Sequence, residues 1–365
     1  IEGSSLNSLF LHKQLQRRDI EFMLLIRPIR QSDYPVLMQI AVESGAGFTS
    51  LPVNEQKLQA KIARSEQSFA TSIESMGDQG YLFVLEDTST GEIVGTSGIE
   101  ASVGLETPLY HFHKSTVVHH SKELDVFKQV EVLTMCNDYT GVSEICTLFL
   151  REPYRQGLNG RFLSKVRFLF MAEHPKRFSK MVIAEMRGVA DESGLPPFWK
   201  WLQSYFFSID FPTADYMIGV GNKGFIADLM PRHPIYVSLL PESAQQVIGE
   251  VHENTKPALA LLENEGFFHR GYVDLFDGGP TVECQLKQIK SVRNSHKIKV
   301  LVAPVEGNAT LSICNTQTAN FRAVFSKNAA LNDNHELVIS PELAEALMVS
   351  NGDFVRYLSL EKAVK

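Results

Sequence analysis

The run Glu144-Ile-Cys-Thr-Leu-Phe-Leu150 is apolar enough to be a buried strand. It leads through Pro153-Tyr-Arg-Gln-Gly-Leu-Asn-Gly-Arg161 into apolar residues at helical spacing from Phe162 to Ala172. A strand entering a basic, glycine-bearing turn that opens a helix commits this part of the chain to a β-turn-α unit. The first turn of such a helix has no internal acceptors for its N–H groups, and its dipole presents positive charge, so the turn is a ready anion site. Phosphate is the usual occupant of a site of this kind. The same pattern also describes an ordinary strand–turn–helix connection, so the rest of the chain has to decide between the two.

Elements with other signatures surround this unit. Leu24–Arg27 predicts a strand closed by Pro28, and Ser32 or Asp33 is placed to cap a helix over Tyr34–Val42. Asn54 opens a second amphipathic helix with Leu58, Ile62 and Phe69 on one face. Gly80–Glu86 and Glu92–Ile99 alternate around the turn Asp87-Thr-Ser-Thr-Gly91 and predict a hairpin. Tyr110–Val118, Val130–Met135 and Lys180–Met186 predict further strands. Phe198–Phe207 is aromatic-rich and reads as helix, as do Gly224–Met230 and Glu242–Gly249; Pro231–Pro241 reads as loop and strand. Thr255 is placed to cap a helix over Lys256–Glu265 that ends at Gly266, followed by strands over Phe267–Phe276 and Thr281–Leu286. The charged stretch 287–299 reads as a linker to a small β-rich tail containing one helix, Pro341–Met348.

Composition narrows the function. With 42 acidic against 35 basic residues and a net charge of −7, the chain has no massed basic groove, which argues against a nucleic-acid partner. No apolar run reaches the roughly 18 residues a membrane span needs. The cysteines Cys136, Cys146, Cys284 and Cys314 lie far apart with no metal-ligand spacing, a pattern of unpaired thiols that suits a reducing cytoplasm. The adjacent pair His119-His120 lacks a helical zinc-type partner, so no metal site is expected. Residues 1–22 are polar and mixed, and read as an extension or remnant ahead of Met23.

These pieces fall in the order of the GNAT superfamily of acyl-CoA N-acyltransferases. Ile26–Asp33 resembles its first strand and helix, and Leu82–Ile99 its next hairpin. The Arg155–Arg161 turn resembles its pyrophosphate loop, and Asn254-Thr-Lys-Pro-Ala258 with Leu261–Phe267 resembles its late helix. The glycine pattern departs from the family's R-x-x-G-x-G, because Arg155, Gly157 and Gly160 give R-x-G-x-x-G with Gly157 shifted by one. The resemblance implies an α+β fold, with a mixed, mostly antiparallel sheet flanked by helices over residues 23–290. Against a minimal member of that family, about 188–246 is an insertion, and the change of composition after 290 marks a separate β-rich domain over 291–365, read as structural or dimerising. A narrower resemblance, to the arginine N-succinyltransferase family, is carried by Val182–Gly188, Pro196–Trp199, Phe225–Pro231, His233–Tyr236, Val251-His252 and Phe276–Thr281. It implies transfer of succinyl from succinyl-CoA to the α-amine of L-arginine in arginine catabolism, in a homo-oligomer without a permanently bound cofactor.

Site residues follow from the resemblance and from chemistry together. Thr147, Leu148 and Phe149 would meet the pantetheine arm and thioester through their main chain. Arg155, Gly157, Gly160, Arg161 and Asn254 would hold the rest of the CoA. His252, in a loop before a helix start, corresponds to the family's proton donor, and imidazole is suited to that work near neutral pH. Glu144, Glu185 and Glu100 are candidates for receiving the amine's proton or anchoring the guanidinium, because carboxylates match that planar fork. Arg187, Arg232 or His233 could meet the succinyl carboxylate. Tyr139, Tyr216 and Tyr272 are rival acids, while Cys146 and Cys284 lack an adjacent histidine for covalent catalysis.

Overall fold

The computed structural model describes residues 23–45, 48–73, 75–221, 224–307 and 309–361; the expected extension over 1–22 lies outside them. The chain opens with β1 (Leu24–Pro28), α1 (Tyr34–Ser44), α2 (Glu55–Ala70), β2 (Gly80–Asp87), β3 (Glu92–Glu100), β4 (His111–Ser121) and β5 (Val126–Cys136). The opening motif follows as β6 (Ser143–Leu150) and α3 (Asn159–Glu173), leading to β7 (Met181–Glu185). Next come α4 (Pro197–Leu202), α5 (Phe211–Gly219), α6 (Gly224–Leu229), β8 (Ile235–Tyr236), α7 (Glu242–Gln245), α8 (Lys256–Glu265), β9 (Phe268–Val273) and β10 (Pro280–Gln285). The last part holds α9 (Lys290–Asn294), β11 (His296–Val302), β12 (Leu311–Asn315), β13 (Ala323–Ser326), β14 (Ala329–Leu331), β15 (Leu337–Ile339), α10 (Pro341–Leu347) and β16 (Phe354–Ser359).

The strands join in the order β14-β15-β11-β16-β12-β13-β1-β2-β3-β6-β7-β10-β9-β4-β5-β8. Among the described residues only β6–β7 and β11–β15 pair in parallel, so the sheet is mixed and mostly antiparallel with helices against it. The predicted β2–β3 hairpin forms because Gly91 adopts a positive φ of 76° at its turn, and Asp87 Oδ1 accepts the Ser89 N–H at 2.9 Å. Asn54 caps α2 by accepting the Lys57 N–H at 3.0 Å, and Leu58, Ile62 and Phe69 are buried as the helical spacing requires.

Several expectations are corrected. Asp33 does not cap α1 with its side chain. Its carboxylate is gripped by both terminal nitrogens of buried Arg27, at 2.7 and 3.1 Å, because a bidentate ion pair in the core outweighs a cap. The Phe198–Phe207 helix stops being α-helical at Leu202 and continues as a π-turn over Gln203–Phe207. The helix expected over Glu242–Gly249 ends at Gln245, and the strand expected to reach Phe276 ends at Val273. Residues 287–299 are not a free linker, because they hold α9 and the start of β11, with Ile289 fully buried beneath their exposed charges. The tail also continues the main sheet, through β13 paired antiparallel with β1.

Phe170 of α3 ties these parts together. It is fully buried and packs its ring against Phe69 of α2, Tyr81 and Phe83 of β2, Phe178, and Phe321 of the tail, at centroid distances of 5.1 to 6.0 Å. Phe170→Ala should therefore destabilise the chain by about 3–5 kcal/mol, measured by urea unfolding. A loss below about 1 kcal/mol would contradict this placement of the core.

Candidate active site

The parallel pair β6–β7 has only two rungs, Ser143 with Val182 and Glu144 with Ile183, and then opens. Each strand has its own reason to leave. On β6, Cys146 and Phe149 pair with Gly98 and Thr96 of β3, so Thr147 and Leu148 together face the single residue Ser97. This is a β-bulge, with Thr147 at a positive φ of 55°, and the Thr96 hydroxyl fixes it by donating to the Thr147 carbonyl at 3.0 Å. Beyond β7, the chain is drawn toward β10. Met186 N–H donates to Pro280 C=O at 3.0 Å, and Gly188 N–H to Asp277 Oδ2 at 2.7 Å. A Cβ on Gly279 would sit 2.2 Å from the Met186 carbonyl, so this close approach requires glycine.

The opening is a cavity of about 1610 Å³ lined along one wall by Glu144–Leu150 and along the other by Ala184–Arg187. Its entrance holds the glycine turn. Gly157 takes a positive φ of 55°, and among the described residues no acceptor meets the amides of Gly157, Leu158, Gly160 or Arg161. The shifted glycine thus still serves the turn. Arg155 Nε donates to Leu150 C=O at 2.7 Å, and its guanidinium lies 5.9 Å from the centre of the Phe149 ring. Arg161 also lines the cavity but donates to Leu360 C=O at 2.7 Å, which brings the tail beside the turn.

His252 sits in the loop beyond the opposite wall. Its N–H donates to Arg187 C=O at 2.9 Å, and its Nδ1 accepts the Asn254 N–H at 3.2 Å, which places the ring proton on Nε2. Burial and the Arg187 guanidinium lower its pKa below 6.5, against an opposing pull from Glu253, so the ring is neutral at pH 7. Arg187, Glu253 and Asn254 line the cavity, whereas the His252 ring is not part of the lining.

Among the expected carboxylates, Glu144 and Glu185 line the cavity on facing strands. Burial works against the charge of Glu100, but Lys61 at 2.8 Å and Arg64 overcome it and hold its pKa below normal, so that group already serves two cations of the protein. The structure adds acids that the sequence reading missed. Asp274 and Asp277 line the cavity beside Glu185; burial raises both, with the Glu185 charge adding at Asp274 and the Asp274 charge at Asp277. Asp274 Oδ1 accepts the N–H groups of Phe276 and Asp277 at 2.7 and 2.9 Å, which is why the strand breaks there. His111, fully buried, places Nε2 2.8 Å from Glu185 Oε1.

Most other candidates lie outside the cavity. Tyr139 donates to Glu283, Tyr272 donates to Asp138 at 2.9 Å, and Tyr216 accepts from Asn54 at 3.0 Å; none of them lines the cavity, nor does Arg232 or His233. Cys146 lines it, but burial pushes its thiol up to about 12, far from a reactive thiolate. No helix among the described residues is long and apolar enough to cross a membrane.

Comparison with known proteins identifies the family. The family model described as arginine N-succinyltransferase beta subunit matches residues 24–291, and that for its C-terminal domain matches 296–359. The chain is 48% identical over 342 residues to the arginine N-succinyltransferase of Yersinia enterocolitica, covering 93% of this chain and 98% of that protein. It is 45% identical over 340 residues to the Escherichia coli protein of the same name, with coverage of 93% and 98%. The solved structure of arginine/ornithine succinyltransferase subunit AI from Pseudomonas aeruginosa matches with a TM-score of 0.86 at 35% identity, over 93% of this chain and all of that one. On its sequence over both parts of the chain and on its fold, this protein belongs to the arginine N-succinyltransferase family.

Proposed function

We propose that the chain transfers succinyl from succinyl-CoA to the α-amine of L-arginine, releasing N2-succinyl-L-arginine and CoA, as a step of arginine catabolism in the cytoplasm. The observation that carries this reading is the two-rung β6–β7 ladder. It opens into a cavity with free amides at one end and a cluster of carboxylates on the far wall. The CoA pyrophosphate takes the amides of Gly157, Gly160 and Arg161, with Arg155 and Asn254 beside it. The pantetheine follows Phe149, Leu148 and Thr147, which brings the thioester to the bulge, where main-chain groups freed from the ladder meet its carbonyl. Glu185, with Glu144, Asp274 and Asp277 near it, receives the guanidinium, and Arg187 offers a cation to a substrate carboxylate.

The neutral α-amine attacks the thioester carbon. The new N–C bond forms, the C–S bond breaks, the amine loses one proton, and the sulfur of CoA gains one. His252, with Nε2–H directed away from Asn254, is the donor to the departing sulfur, and the proton lost by the amine returns to Nε2 through water, so the ring ends neutral. No cofactor stays bound through the cycle; succinyl-CoA is consumed as a substrate. A homo-oligomer is our expectation, to be checked by sedimentation. Ornithine is a second amine to test, because the Pseudomonas relative is described as an arginine/ornithine succinyltransferase.

Four outcomes test the reading. CoA release should be fastest with succinyl-CoA and arginine among all pairings of succinyl-CoA or acetyl-CoA with arginine, ornithine and lysine; no turnover with any pairing would refute it. His252→Ala should lower kcat about 100-fold or more while CoA binding persists. In the unmodified chain, protonating the ring puts an N–H on Nδ1 against the Asn254 N–H. The kcat profile should accordingly fall on the acid side with a midpoint below 6.5, in a limb that the His252→Ala variant lacks. A midpoint above 7 would assign that limb to another group. Glu185→Gln or Asp274→Asn should raise KM for arginine about 10- to 100-fold with a smaller effect on KM for succinyl-CoA. Equal effects on both would remove these acids from the amine site.

A further inference from the structure

Three arginines are fully or nearly buried among the described residues, Arg27, Arg167 and Arg177. Arg27 is paired with Asp33 and Glu86. Arg177 lacks a carboxylate but is held by Ser68 C=O, the Tyr81 hydroxyl and Thr71 C=O at 2.9 to 3.1 Å, and it does not line the cavity. Arg167 differs from both. It is 2% exposed, it lines the cavity, and among the described residues no carboxylate pairs with it. Its bonds are Nε to Ser164 C=O at 3.1 Å, one terminal nitrogen to Ser164 Oγ at 2.9 Å, and a long 3.4 Å contact from the other to Cys146 C=O. A guanidinium carries five N–H donors, so two are left without an acceptor. Burial pushes its pKa down to about 10, a sign that the chain alone does not compensate the charge.

Its place along the cavity indicates which anion would. Gly160, Leu163 and Arg167 share the face of α3 that lines the opening. At a rise of 1.5 Å per residue, Arg167 lies about 10 Å further along the helix than the Gly160 amide. Its guanidinium reaches Cys146, the residue just past the Thr147–Leu148 bulge. That is the acyl end of a CoA laid from the glycine turn along β6. Lys61 is also close to Cys146 but is committed to Glu100 at 2.8 Å. Arg187 stands on the other wall, beside Glu185 and the His252 loop, where the amino acid enters.

We propose that Arg167 binds the free carboxylate of the succinyl group through its two open N–H donors, and is thereby the residue that selects succinyl-CoA over uncharged acyl-CoAs. The inference rests on the acyl transfer proposed above, and the test keeps the two apart. Rates with succinyl-CoA and with butyryl-CoA, which has the same chain length without the carboxylate, are measured with arginine for the unmodified enzyme, Arg167→Met and Arg167→Lys, alongside thermal unfolding of each. The ratio of kcat/KM for succinyl-CoA over butyryl-CoA should fall about 100-fold in Arg167→Met, through the succinyl arm, and about 10-fold in Arg167→Lys, which keeps the charge but not the fork. Arg167→Met should fold with a Tm no lower than that of the unmodified chain, because it removes an unpaired buried charge. Free succinate should raise the Tm of the unmodified chain and not that of Arg167→Met.

An unchanged ratio, in an enzyme that does transfer succinyl, overturns the role of Arg167 alone. A variant that fails to fold without its arginine also overturns it, since the side chain would then be structural. Absence of succinyl transfer in the unmodified enzyme overturns the parent reading.

Discussion

The site depends on a hydrogen-bond ladder that stops after two rungs. Two parallel strands in mid-sheet would ordinarily satisfy each other's backbone groups along their whole length. Here β6 is bent by a bulge that Thr96 holds in place, and the extension of β7 is captured by the turn Asp277–Gly279. What separates them is a gap with polar backbone on its β6 edge, which a ligand carrying amides and carbonyls can pair with as a missing strand would. The bulge and the close approach at Gly279 hold this gap open, and the loop carrying His252 stands beside it. The fold positions the chemistry by leaving a sheet incomplete.

Charge is sorted along the gap. Free amides and arginines occupy the end reached by the glycine turn and α3, whereas Glu185, Asp274 and Asp277 crowd together across it. Burial works against charge on both sides, since among the described residues no carboxylate pairs with Arg167, and the charges of Glu185 and Asp274 add to burial at the aspartates. A substrate pair with an anionic acyl group and a cationic amino acid reverses that sorting and neutralises it. In this account the same groups that raise the energy of the empty site supply selectivity when it fills. The tail contributes from outside, because Leu360 takes a bond from Arg161 and Phe321 packs on Phe170, so the glycine turn is braced by residues distant in sequence.

Much of this was legible in the chain. Strand, glycine turn and helix stood where the residues from Glu144 to Ala172 placed them, and so did the β2–β3 hairpin and the helix ending at Gly266. What was missed shares a physical cause. Periodicity sorts residues by hydrophobicity, so it gives no sign that the charged Arg167 of α3 is buried against the cavity. Asp274 falls inside the strand expected over Phe267–Phe276, because the side-chain bonds that stop that strand at Val273 are invisible in a pattern of apolar residues. The bulge left no mark either, since its positive φ falls on Thr147 and not on a glycine. The charges around 287–299 hid Ile289, whose single buried side chain anchors what looked like a linker.

The central claim is that acyl-CoA occupies the gap between β6 and β7. A crystal structure of the protein with CoA tests it most directly. The account predicts pantetheine alongside the main chain of Thr147 to Phe149, with the pyrophosphate on the amides of Gly160 and Arg161. CoA lying instead in the groove between the glycine turn and the tail, against Thr310 and Phe325, would contradict it.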